Sequence, residues 1–259
     1  MTMGRLSELF ERKKKNVLNV YFTAGFPERD STISIMEALQ QSGADLIELG
    51  MPYSDPLADG PIIQESSIVA LSKGMTIAAL LEDLKGFRNK IHVPVILMGY
   101  MNPVLQYGFE EFCKDAADVG IDGLILPDLP AFEFENLYAP IIRKYGLDFI
   151  FLVTPETSED RVRKLDELSS GFLYAVSSSS TTGKEKDFTA VNSYLQRLSG
   201  YQLKNPVLVG FGIKDRESFL SVAPYANGAI IGSAFIKTIA NAGDVLAATR
   251  KFVSNILND

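Results

Sequence analysis

In DLIELGMPYSDPLADGP, residues 45–61, an apolar run of strand character passes through a loop rich in Pro and Asp and reaches Gly60-Pro61, the signature of a helix start. The same unit recurs along the chain. Short apolar runs rich in β-branched residues stand at VLNVYFTA near Val17, DLIELG at Asp45, VPVILMGY at Val93 and DGLILPD at Asp122. Four more follow at DFIFLVT from Asp148, GFLYAVS from Gly171, NPVLVGFG from Asn205 and NGAIIGS from Asn227. Between them lie amphipathic stretches such as DSTISIMEALQQSG, GPIIQESSIVALSKG, FEEFCKDAADVG and SEDRVRKLDELSSG. Several of these open at Ser or Asp and close at Gly, as capped helices do. Eight strand-then-helix units in 259 residues predict an α/β fold, a (β/α)8 TIM barrel forming a single domain over residues 1–259. An open doubly wound sheet is the alternative, although no strand run leads into a GxGxxG turn.

Composition narrows the function. Hydrophobic residues make up 46% of the chain, enough for a large core, and a net charge of −7 offers no electrostatic reason to bind nucleic acid or an anionic membrane. The single cysteine, Cys113, excludes an internal disulfide, and with one histidine, His92, it excludes an ordinary Cys/His zinc site, so no metal is expected. The N-terminal MTMGRLSELFERKKKN lacks a signal-peptide apolar run, and no segment has 18 uncharged apolar residues in a row. A soluble, cytoplasmic protein is expected. The Lys13–Lys15 run reads as a helix end, where cations suit the dipole.

In a barrel the working face is the end where strands run into their following helices. His92 precedes its strand and belongs to the opposite, stabilising face, and Cys113 sits between Phe112 and Ala116 as a small hydrophobe. Glu48 is different. Period-two alternation puts Leu46 and Glu48 on one face and Ile47 and Leu49 on the other, and the more apolar pair suits the helix layer. Glu48 then points into the barrel mouth. It is either half of a buried ion pair or a proton-transfer group, and no strand core contains a Lys or Arg to pair with it. Asp59 would cap the next helix, except that Pro61 favours the first helical position and makes Gly60 the cap. Asp55 reads first as a turn residue, and Asp128, between Pro127 and Pro130, as a turn residue or a site residue equally.

Two turns point to phosphate. GFGIKD, with Gly210, Phe211 and Gly212, and GSAFIK, with Gly232 and Ser233, follow the seventh and eighth runs, where barrels often hold an anion against backbone N–H groups. SSSSTTG, residues 177–183, suits either a solvated linker or a lid over such a ligand. No strand carries a lysine for a Schiff base. Carbon–carbon cleavage would therefore need a substrate that supplies its own electron sink.

Over nearly its whole length the chain resembles the tryptophan synthase alpha subunits, most specifically in ELGMPYSDPLADGP and also in FTAGFP, MGYMNPVLQYG, LPDLP, GFGI and IIGSAFIK. The resemblance implies a TIM barrel that splits indole-3-glycerol phosphate into indole and glyceraldehyde 3-phosphate by a retro-aldol reaction, without a cofactor. It implies that Glu48 is the general acid/base and that Asp59 holds the indole N–H. Tyr174 and Tyr21 match aromatic positions that line the substrate. Gly183, Gly212, Gly232 and Ser233 match a phosphate cradle beside Phe211, and Thr182 matches a lid threonine that approaches the second carboxylate. Ser180, in STTG, stands where the family usually has glycine. The resemblance also implies a partner, a beta subunit in an alpha2beta2 assembly that receives indole directly. The loops PYSDPLADGP and MNPVLQYGF carry the apolar residues Pro52, Tyr53, Leu57, Pro103 and Val104, which either wall the active site or dock that partner. Two other function classes share some of these features. They are a metal-dependent sugar-phosphate epimerase, which usually needs more histidines, and a barrel that binds a partner without catalysis.

Overall fold

The computed structural model describes residues 4–176, 188–210 and 212–258. Its strands are β1 (Val17–Thr23), β2 (Leu46–Gly50), β3 (Val95–Met98), β4 (Gly123–Ile125), β5 (Asp148–Phe149), β6 (Leu152–Val153), β7 (Leu173–Val176), β8 (Val207–Gly210) and β9 (Gly228–Ile231). Neighbours pair in the order β5-β4-β3-β2-β1-β9-β8-β7-β6, and every pairing is parallel. β5 and β6 are two halves of the single run DFIFLVT. The Ile150 N–H donates to Leu124 O on one side (3.0 Å), and Phe151 O accepts from the Tyr174 N–H on the other (3.0 Å). The two ends of the order are therefore joined through the chain, and the sheet closes into the (β/α)8 barrel. Closure excludes the open doubly wound alternative.

Alternation along each strand sorts side chains between the barrel interior and the helix layer. Phe22 of β1 points outward and meets Phe235 edge-on at 6.1 Å, which seats the helix Ser233–Ala240 on the barrel wall. Ile47 and Leu49 are fully buried beside it in β2, while Glu48 between them lines the interior cavity. The opposite end of the barrel is tied by charge. Arg88 and Arg5 both bond the Asp122 carboxylate, and the Arg88 guanidinium also donates to the Gly120 and Val93 carbonyls. His92 lies exposed near that end, where its backbone N–H donates to Gln40. Cys113 is buried on the helix Phe109–Val119, and burial, with the nearby Glu110 charge, pushes its thiol up to about 12. Lys13 caps the C-terminus of the helix Arg5–Arg12 and pairs with Asp45 at 2.6 Å.

Candidate active site

At the C-terminal ends of the strands a cavity of about 940 Å³ opens, with Glu48 and Asp59 in its wall. Tyr21 stands beside Glu48, since the two are Cα partners in the β1–β2 ladder. Two strand-end glycines make room for the ring hydroxyls. A Cβ on Gly50 would lie 2.3 Å from the Tyr21 hydroxyl, and one on Gly210 would lie 2.2 Å from that of Tyr174. Met98, Ile62 and Ile230 add apolar wall, so the interior suits a flat apolar group with few polar contacts.

Glu48 is 1% exposed. Its Oε2 accepts a hydrogen bond from Asn19 Nδ2 at 2.8 Å, and its Oε1 has no partner among the described residues. Among the described residues no cation pairs with it, so the carboxyl is raised to about 8, first by burial and then by the Asp59 charge, against the lowering bond from Asn19. Asp59 is built alike. Its Oδ2 accepts from the Tyr100 hydroxyl at 2.9 Å, and its Oδ1 has no partner among the described residues. Burial raises it to about 6 against the bond from Tyr100. The Tyr100 oxygen itself accepts the Ala58 N–H at 3.0 Å, so its only proton is directed to Asp59. Gly60 is the N-cap of the helix Pro61–Ser72 with Pro61 in its first turn, and the Asp59 side chain makes no cap. Burial holds the hydroxyls of Tyr21 and Tyr174 well above their ordinary range, and the two carboxylates add to it, so both phenols stay protonated.

Gly212, Gly232 and Ser233 line the same cavity. Gly212 has φ +80°, a backbone state that side-chain-bearing residues rarely adopt. Gly232 is the N-cap of the helix Ser233–Ala240, whose first N–H groups have no intrahelical acceptor. Thr182, Gly183 and Phe211, together with Ser180, lie outside the described residues. Asp128 is not in this cavity. Both its oxygens accept the Met101 N–H at 3.0 Å, which anchors the helix Met101–Tyr107 just after Tyr100.

Three contributors lie outside the site residues expected from the sequence. Asn19 was detectable by the signal that exposed Glu48, a polar side chain inside an apolar strand, in phase with Tyr21. Tyr100 carried no signal, because an aromatic residue ending a strand reads as core. Lys237, one helical turn beyond Ser233, lines the cavity and makes no ion pair among the described residues. The i, i+4 spacing was its only signal.

A family model described as tryptophan synthase alpha chain matches residues 7–256. The tryptophan synthase alpha chain of Christiangramia forsetii is 52% identical over 92% of this chain and 93% of its own length. That of Flavobacterium johnsoniae is 48% identical over 98% and 100%. Among solved structures, tryptophan synthase subunit alpha from Legionella pneumophila superposes with a TM-score of 0.90 at 36% identity, covering 98% of this chain and 97% of that one. A chain of M. tuberculosis tryptophan synthase in its aminoacrylate-bound form gives 0.86 at 32% identity, with 98% of each chain covered.

Proposed function

The chain belongs to the tryptophan synthase alpha chain family, and from that premise we propose that Glu48 and Asp59 carry its reaction, the cleavage of indole-3-glycerol phosphate to indole and glyceraldehyde 3-phosphate. One observation carries this reading. Two buried carboxylates share a cavity, each with one oxygen held by the protein and the other unpartnered among the described residues, and their pKa values are pushed to about 8 and about 6. Near neutrality the first is an acid and the second an anion.

Glu48, in its acid form, gives a proton to the ring carbon that bears the glycerol phosphate chain. Asp59 faces the indole N–H and offsets the positive charge that the ring acquires. The Glu48 carboxylate then takes the proton of the adjacent side-chain hydroxyl as the carbon–carbon bond breaks. The bonding pair returns to the ring, the aldehyde leaves, and Glu48 is again an acid. Tyr21 and Tyr174 flank the substrate, and Gly212, Gly232 and Ser233 hold its phosphate on backbone N–H groups.

Incubating the purified chain with indole-3-glycerol phosphate and following free indole against pH tests this reading. kcat/KM should be bell-shaped, rising as Asp59 ionises near 6 and falling as Glu48 loses its proton near 8. The alkaline limb is decisive, because the substrate phosphate titrates close to the acid limb. Activity that keeps rising beyond pH 9 would remove Glu48 as the initial acid.

The reading includes a partner. Leu57 is 91% exposed, Phe132 73% and Leu105 49%, on segments that follow three neighbouring strands. Leaving a leucine in water forgoes about 1.5–3 kcal/mol of burial. These residues support docking of a beta subunit, in an alpha2beta2 assembly, over the cavity mouth so that indole passes to it directly. Pro52 and Val104 do not belong to that face. Both are buried, Val104 on the helix Met101–Tyr107, and neither lines the cavity. The clean variant is therefore Leu57→Asp, which should cut activation by added beta subunit at least about tenfold, the scale of one lost apolar anchor, while basal cleavage stays within about twofold. An unchanged activation curve would sink the docking proposal and leave the lyase reading intact. A cytoplasmic location belongs to the same reading; no helix among the described residues is long and apolar enough to cross a membrane.

A further inference from the structure

β1 is apolar along its length except at Asn19 and at its end, and Asn19 is fully buried. Its Cα partners are Leu46 on β2 and Ile230 on β9, so an aliphatic side chain would meet aliphatic neighbours there. Asn19 is costly instead. Its Oδ1 has no hydrogen-bond partner among the described residues, and a buried acceptor left unmade destabilises a fold. What the amide does make is a single bond, from Nδ2 to Glu48 Oε2 at 2.8 Å, reaching diagonally across the ladder.

That bond has a chemical consequence. A carboxyl oxygen that faces an N–H donor is held as an acceptor, because a proton placed on that oxygen would compete with the donor. The bond is compatible with both protonation states only if the proton comes and goes on Oε1. Oε1 is the oxygen without a partner among the described residues, and Glu48 lines the cavity. We propose that Asn19 is a positioning residue for Glu48, which reserves Oε2 as an acceptor throughout the cycle and so confines the transferable proton to Oε1. The reverse amide orientation would present Oδ1 to Oε2 and trap the proton there, away from substrate.

The proposal rests on Glu48 being the acid/base, and its test separates the two. Among the described residues the titratable groups facing Glu48 are Tyr21 from β1, Tyr174 from β7 and Asp59 from the loop after β2; β3 presents none. None of these is changed in Asn19→Leu, which keeps the branched shape at the cost of some added bulk and removes the donor. A bond to a charged acceptor is stronger than one to a neutral acid, so its loss favours the acid form. The alkaline limb of kcat/KM should move up by about one pH unit. kcat should fall about tenfold while KM changes less than about twofold, as for a group that acts only through proton placement. Asn19→Asp, which replaces the donor with an acceptor, should lose more than Asn19→Leu.

Binding of glycerol 3-phosphate and the melting temperature report whether each variant is folded, and Asn19→Ala removes the amide without new bulk should leucine not pack. An unshifted alkaline limb in a folded variant would overturn the proposal, and so would loss of folding in all three. If Glu48→Gln itself retains activity, the acid/base assignment fails instead. An inactive Glu48→Gln beside an Asn19→Leu with the parent pH profile removes only the role of Asn19.

Discussion

Glu48→Gln is expected to lower indole release by at least about 100-fold, the ordinary scale for losing a general acid/base. Glutamine has nearly the same volume, and its carbonyl oxygen can accept the Asn19 amide as Oε2 does now, so the cavity wall keeps its shape. What it lacks is a transferable proton. The fold should gain from the change. In the folded chain Glu48 is raised from 4.5 to about 8, so between those values the native state keeps a proton that the unfolded chain releases. Stability therefore falls as pH rises through that window, and the loss is complete above about 8. Glutamine escapes this, and the variant should melt higher than the parent by a margin that grows from pH 5 to pH 8. Indole release and thermal melts on both chains check the two halves together. Near-normal cleavage by a folded Glu48→Gln would discard the assignment.

Gly212→Asp should weaken binding of glycerol 3-phosphate and of substrate by about 100-fold or more. A like charge about 5 Å from a phosphate, in surroundings of effective dielectric about 20, costs about 3 kcal/mol per phosphate charge before screening. Backbone strain adds to this, since φ is +80° at this position and the left-handed state costs a side-chain-bearing residue about 1–2 kcal/mol. Gly212→Ala carries the strain without the charge and should lose much less. High salt should restore part of the binding to Asp and little to Ala. Titration calorimetry on both variants distinguishes these outcomes. Undiminished affinity in a folded Gly212→Asp would place the phosphate cradle elsewhere.

Much of this protein is legible in one dimension because strands and helices bury their apolar sides at different periods. Eight strand runs alternating with helical stretches were enough for the barrel, and Glu48 stood out because a charge inside an apolar strand breaks the pattern. Asp59 was separated from a capping role by one residue of spacing, since Pro61 takes the first turn and Gly60 the cap. The turns at Gly212 and Gly232 were found by their place in the order of strands.

The partners of these residues were not legible, for a common reason. Asn19 is 29 residues from Glu48, and Tyr100 is 41 from Asp59. Each pair is formed only when tertiary pairing brings β1 beside β2 and the end of β3 beside the loop that follows β2. Period-two alternation says that Glu48 points inward, but not which oxygen is held or that burial lifts it to about 8. Loop orientation is equally silent in the sequence, which is why Pro52 and Leu57, five residues apart, looked alike and yet one is buried and the other is 91% exposed. Local pattern determines which face a side chain occupies. Only the closed fold decides what it meets there, because hydrogen bonds and desolvation depend on neighbours that are distant along the chain.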